Sequence, residues 1–208
     1  VHRLDADTSG LMVIARHRRA ATAMQQLFQT NQVSKRYLAR VYGHPPADYF
    51  ESTAPISDGP DADGFRVVAA DGLPSETRFQ VRERFADGSA LLEVRPITGR
   101  TNQIRVHLWD LGFPIVGDLA YLPDRKLGSN ASKLPQDAPL CLHAWRLEMP
   151  NPFLSAADQP LYQWETARPS WTKPSPWSFE ATEPDMISAA DSVGPDSRRN
   201  SSEARLAR

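Results

Sequence analysis

Three stretches of this chain hold side chains that could do chemistry. The first is Val1 to Arg16, VHRLDADTSGLMVIAR, where one carboxylate, Asp5, follows Arg3 and a leucine and opens a polar turn ending at Gly10. A rigid scaffold can present a reactive group from such a turn, and an ionised carboxylate there can act as a nucleophile. Asp, Ser and Gly are also simply good turn formers, so composition alone equally fits a β-hairpin turn. The second stretch, Pro96 to Leu108, reads PITGRTNQIRVHL and carries Arg100, Asn102, Gln103 and Arg105. A helix starting there would expose backbone N–H groups able to hold a phosphate. A guanidinium brought beside a carboxylate favours its charged form. The third is the strand-like run Lys35 to Gly43, in which Tyr37, Ala39 and Val41 alternate with Arg36, Leu38 and Arg40. A strand tyrosine read alone is a core aromatic.

Other chemistries find less support. A hydrolase using Asp5 with His107 or His143 lacks any nucleophile–base spacing and any nucleophile elbow. No P-loop, no GxGxxG and no Cys/His metal spacing occurs, so neither a metal nor a cofactor is expected. The one cysteine, Cys141, allows no disulfide within the chain and sits in an apolar run, as a small buried hydrophobe would.

His2-Arg3-Leu4-Asp5 followed by Thr8-Ser9-Gly10-Leu11 resembles the HRLD-x-x-TSGL signature of the RluA-type RNA pseudouridine synthases. Lys35-x-Tyr37-x-Ala39-x-Val41 resembles the same family's K-x-Y-x-A-x-V neighbourhood. Thr98 to His107 resembles its TGRTHQ-[IL]-RVH motif, and Gly112, Pro114-Ile115, Gly117-Asp118 and Tyr121 its GxPIxGDxxY. Leu142-His143-Ala144 resembles the LHA motif, with His143 read as structural. Asn102 departs from the pattern, standing where the family usually has His; it can hydrogen-bond but not titrate.

The resemblance implies isomerisation of uridine in ribosomal or transfer RNA to pseudouridine, with no cofactor. It implies Asp5 as nucleophile, Arg105 paired with it and Tyr37 stacked on the flipped base. Arg3 would fill the space the base leaves in the RNA, and Arg100, Asn102 and Gln103 would contact substrate. An RNA-binding or chaperone module with the same fold and little turnover is the alternative, and Asp5→Ala with retained binding separates the two.

These residues need elements to hold them. The expected fold is α/β (α+β): a large mixed, mainly antiparallel sheet with helices on its faces. A strand is expected over Leu11–Ala15, and an amphipathic helix over Ala20–Phe28 ending at Asn31-Gln32. Short strands are expected over Ser52–Ile56 and Phe65–Ala69, and a hairpin of Ser75–Arg84 with Ser89–Arg95 around Asp87-Gly88. A helix capped by Thr101 should run to about Leu111, and a buried strand should span Leu140–Leu147. Residues 1–154 are read as the catalytic domain, lacking strands that usually precede HRLD. Asp5 then lies near a chain end that should fray, with weakened activity or none. Residues 155–208 are read as an irregular Pro- and Trp-containing extension, its tail from Ser188 disordered.

The net charge of −1 means RNA binding must rest on a local basic patch. Arginine clusters such as Arg78, Arg82 and Arg84 read as ordinary solvated faces. No membrane-length apolar run or signal peptide is visible. A monomer acting in the cytoplasm on RNA is expected.

Overall fold

A computed structural model describes residues 1–154 and 161–174. Seven strands form one sheet: β1 (Ser9–Gly10), β2 (Ser34–Tyr42), β3 (Tyr49–Ser52), β4 (Thr77–Arg84), β5 (Ser89–Pro96), β6 (Leu142–Pro150) and β7 (Leu161–Glu165). Their order is β1-β6-β2-β5-β4-β3, with β7 also on β6. Among the described pairs, only β1–β6 is parallel. Two helices, α1 (Arg18–Gln29) and α2 (Gln103–Asp110), accompany it. This is the mixed, mainly antiparallel α+β architecture expected.

The strands follow their side chains. Ala39 and Val41 of β2 join Phe79, Leu92 and Val94 in a core that Ile104 and Leu108 of α2 close. The alternate residue Leu38 packs on the other face with Phe85, Leu91, Trp145 and Trp171. Both faces of β2 are therefore covered. Arg40, on that second face, is 2% exposed; its guanidinium binds Asp87, Ser89 and the Trp171 carbonyl. The hairpin turns at Asp87-Gly88, with Gly88 at φ +80°. Helix α1 is capped by the His17 ring, which accepts from the Ala20 N–H at 3.2 Å. Its Leu27, Met24 and Phe28 pack on Leu147 and Met149 of β6. Cys141 is buried in the main core, where burial pushes its thiol up to about 11.

Four expectations need correction. Leu11–Ala15 is not a strand: pairing on β6 stops at Gly10, apart from Leu11 N–H donating to Ala144 O at 2.9 Å. The reason is competition, because β7 occupies the same edge of β6 from Arg146 onward. The alternation survives without a ladder, with Leu11 and Val13 packed inward while Met12 and Ile14 are exposed. Ser52–Ile56 and Phe65–Ala69 are not strands either. β3 lies earlier, and Ile56 makes only single bridges to Val68 and Leu73; Pro55, lacking an N–H, cannot continue a ladder. Thr101 is not the cap of α2; Asn102 holds that position in a left-handed conformation at φ +56°. Finally, residues 161–174 are not irregular throughout. They add β7 to the sheet and a 3-10 turn, Ser170–Thr172, whose Trp171 packs into the core. All five β7 side chains are exposed, so its strand rests on backbone pairing and left no hydrophobic period to read. The boundary at residue 154 thus does not divide the described fold, and the tail from Ser188 lies outside the described residues. Among the described residues, no helix is long and apolar enough to cross a membrane.

Candidate active site

Asp5 sits on a turn closed by the Thr8 N–H donating to the Asp5 carbonyl at 3.1 Å. The turn is pinned on several sides. Gly10, at φ +113°, runs so close to β6 that a Cβ would collide with the Ala144 carbonyl, so only glycine fits. The Ser9 hydroxyl lies 2.8 Å from the His143 Nδ1. The His2 ring stacks on Phe28, with centroids 4.5 Å apart, and its Nε2 accepts from the Val13 N–H at 2.9 Å. Asp7 accepts from the Lys133 N–H at 3.3 Å. Contacts to β6, α1 and the loop at Lys133 thus tie the turn to the rest of the fold.

Behind the turn, α2 projects Arg105. Its Nε and Nη2 donate to the two oxygens of Asp118, each at 2.7 Å, and its Nη1 donates to Asn102 Oδ1 at 3.1 Å. The Asp118 side chain is fully buried, and it also accepts from the Ala120 and Tyr121 N–H groups at 2.8 and 3.2 Å. The direct Arg105–Asp5 pair implied by the resemblance is therefore replaced by an Arg105–Asp118 fork. Asp5 feels the guanidinium as a neighbouring charge without a shared hydrogen bond. Burial raises the Asp5 pKa above the usual carboxylate range. The Asn102 N–H and the charges of Arg105 and Arg3 pull it back, while Asp118 pushes it up. Burial also works against the charge on Arg105, but the hydrogen bonds and charge of Asp118 outweigh it and raise its pKa.

Asn102 has a role visible only in three dimensions. Asparagine tolerates the left-handed backbone well, which aims its N–H at Asp5 while its side chain reaches Arg105 and, at 3.5 Å, the Tyr121 hydroxyl.

Tyr37 projects from β2 into the same cleft as Asp5. Burial, then the charge of Asp5, pushes its hydroxyl up to about 12, so the ring stays neutral at physiological pH. Lys35, two residues earlier, also lines the cleft, and burial lowers its pKa. The cleft has a volume of about 550 Å³, and Arg3 and Arg100 stand on its walls. A second hollow of about 170 Å³ adjoins Asp5 on the side of Asn102 and Arg105. Asp5, Tyr37, Arg3 and Arg100 thus share one cleft, with Arg105 and Asn102 behind Asp5.

Gln103 differs from expectation. It is 3% exposed, and its amide is spent inside the protein. The oxygen accepts from Thr98 Oγ1 and the Arg100 N–H at 2.8 and 2.9 Å, while the nitrogen donates to Glu76 O and Thr77 Oγ1 at 2.9 Å. It shapes the loop that carries Arg100. His107 is equally enclosed, its ring nitrogens 2.8 Å from Thr77 Oγ1 and 2.9 Å from Ala54 O. Burial lowers its pKa, and with both ring nitrogens engaged and the residue absent from the cleft lining, it is not placed as a base for Asp5. Most of the arginines on the open sheet face are paired: Arg36 and Arg82 with Glu93, Arg78 with Glu76, Arg84 with Asp48. Among the described residues, no group of three or more His, Cys, Asp or Glu could hold a metal ion.

Two contributors lay in recognised motifs without an assigned task. Asp118 follows a glycine in a turn, as many structural aspartates do. Lys35 was one more charge on a strand. Only the fold shows that each faces the site.

Known proteins with related sequences fit this geometry. The family model described as RNA pseudouridylate synthase matches residues 1–109. The dual-specificity RNA pseudouridine synthase RluA of Vibrio parahaemolyticus is 48% identical over 58% of this chain and 50% of its own length. An uncharacterized RNA pseudouridine synthase of Chloroflexus aurantiacus is 48% identical over 60% of this chain and 39% of its own. The chain thus spans about half or less of these relatives' length. Among solved structures, human RNA pseudouridylate synthase domain containing 4 superposes with a TM-score of 0.63 at 31% identity, over 82% of this chain and 71% of that one. Matched over more than half its length, with its motifs gathered around one carboxylate, this chain belongs to the RNA pseudouridylate synthase family.

Proposed function

We propose that this chain isomerises uridine to pseudouridine in a structured RNA, ribosomal or transfer, with Asp5 as nucleophile. One observation carries the reading: a half-buried carboxylate shares a cleft with an aromatic ring, while a fixed guanidinium behind it favours ionisation. In the proposed reaction an Asp5 oxygen bonds to ribose C1′ as the N1–C1′ bond breaks, and the electron pair leaves with the uracil. The base turns, C5 bonds to C1′, the carboxylate departs, the C5 proton is lost and N1 gains one. Nothing is oxidised or reduced, so the scheme needs no cofactor or metal.

The uridine must first leave its stack, at a cost of a few kcal/mol. Stacking on the Tyr37 ring would offset roughly 1–3 kcal/mol of that. Arg3 and Arg100 line the cleft, where guanidinium groups can meet phosphates or fill the space a flipped base leaves. Asn102 serves through Arg105 and its own N–H, and Gln103 by shaping the Arg100 loop. The proposal takes the protein to act in the cytoplasm as a monomer.

The test is to incubate the purified chain with ribosomal and transfer RNA and map pseudouridine by carbodiimide-dependent stops in reverse transcription. New sites that vanish with Asp5→Ala, at equal RNA binding, support the reading. RNA binding with no new site for the wild type would overturn it and favour a binding module without turnover.

A further inference from the structure

We infer that Lys35 is a further catalytic residue, whose ammonium holds a carbonyl oxygen of the uracil and stabilises that base as it departs from C1′ as an anion. The inference rests on the isomerase reading above.

The Lys35 side chain lies in the wall of the cleft, two residues along β2 from Tyr37. Its one hydrogen bond among the described residues is a long one, Nζ to Thr98 O at 3.4 Å. No described carboxylate pairs with it. An ammonium has three donors, so this one long bond leaves most of its capacity unused. A partly desolvated, unpaired cation is costly to keep unless something meets it, and the lowered pKa of Lys35 reflects that cost.

Its position says what meets it. Asp5 comes from the turn before β1, whereas Lys35 and Tyr37 both come from β2, so Lys35 stands along the wall that Tyr37 provides. A nucleotide with C1′ at Asp5 and its base on Tyr37 would extend its uracil toward that wall. Phosphates, in contrast, are met by exposed or half-exposed guanidinium groups such as Arg3 and Arg100.

When the N1–C1′ bond breaks, the uracil keeps the electron pair. The negative charge spreads over N1 and the two carbonyl oxygens. A fixed cation donating to one of those oxygens binds the departing anion more strongly than the neutral base. This is stabilisation of charge where it develops. No proton needs to move to or from Lys35, and the pair later returns through C5 to C1′.

The experiment measures single-turnover pseudouridine formation and RNA affinity for the wild type, Lys35→Met, Lys35→Gln and Lys35→Arg, on a transcript carrying a mapped site. The expected result is a rate loss of about 100-fold or more for Met and Gln, the scale set by deleting one such donor. RNA Kd should change less than about threefold, and its salt dependence should not change. Lys35→Arg, still charged, should recover most of the rate, and methylammonium should partly rescue a Lys35→Ala variant. Unchanged rates for Met and Gln would overturn the inference. So would a weaker Kd whose salt slope falls by about one, the mark of a lost phosphate contact. If Lys35→Met fails to fold, Lys35→Gln and the ammonium rescue decide. A wild-type chain that makes no pseudouridine would instead refute the isomerase reading itself, which separates the two failures.

Discussion

Replacing Asp118 with alanine should lower stability and shift the pH dependence of catalysis together. The carboxylate accepts two charge-assisted bonds from Arg105 at 2.7 Å and two backbone N–H bonds from Ala120 and Tyr121. Its side chain is wholly buried, and that of Arg105 is 11% exposed. Alanine would leave the guanidinium enclosed without its counter-charge and two backbone donors without an acceptor. Removing one partner of a buried pair costs about 3–5 kcal/mol, against about 0–1 for an exposed pair. For a domain of this size each kcal/mol moves Tm by about 2–4 °C, so a fall of about 6–20 °C is expected. Asp118→Asn keeps an acceptor oxygen and should lose less. Asp118 raises the Asp5 pKa and Arg105 lowers it. Removing the first and freeing the second should therefore shift the acid limb of the rate profile to lower pH. Urea and thermal unfolding, with single-turnover rates across pH, test this. A loss under about 1 kcal/mol with an unmoved acid limb would show that the fork supports neither the fold nor Asp5.

Three further predictions concern the cleft. Asp5→Asn should abolish turnover yet raise stability at neutral pH. The folded Asp5 pKa lies above its unfolded value, so stability falls as pH rises through that interval and an ionised Asp5 is a cost above it; thermal melts at acid and neutral pH should show the gain only at the latter. Tyr37→Phe should keep most activity, because a hydroxyl pushed to about 12 does not ionise in the working range. Tyr37→Ala should lose roughly 1–3 kcal/mol of base stacking, about 5- to 150-fold in kcat/KM. Gly10→Ala should unfold at markedly lower temperature, since its Cβ meets the Ala144 backbone at a positive φ; a melt within about 1 °C of the wild type would contradict the packing described for β1.

The legible parts of this chain were those in which local pattern and tertiary role agree. β2, the β4–β5 hairpin and α1 announced themselves because the residues each turns to one core recur at strand or helix period and their turns carry Asp-Gly or Asn. The Leu11–Ala15 run had a strand's alternation but lost its partner edge to β7, a competition between segments about 150 residues apart. β7 itself was silent because it buries no side chain. At the site, Asp5, Tyr37 and Arg105 were visible through motif resemblance, and the fold brings them to one place. What motif spacing cannot convey is which partner each group takes. Arg105 bonds Asp118 and not Asp5, and Gln103 turns inward to four groups of its own loop and of β4. Those are choices of direction, set by the left-handed turn at Asn102 and by the packing of α2 on the sheet.

The central claim is that the Asp5 carboxylate makes and breaks the bond to ribose. Tritium release from RNA labelled at uridine C5 reports the loss of that hydrogen when C5 joins C1′. At saturating RNA, the wild type should release tritium in step with pseudouridine formed, and Asp5→Asn should release none while binding RNA as well. Release by Asp5→Asn at the wild-type rate would contradict the account.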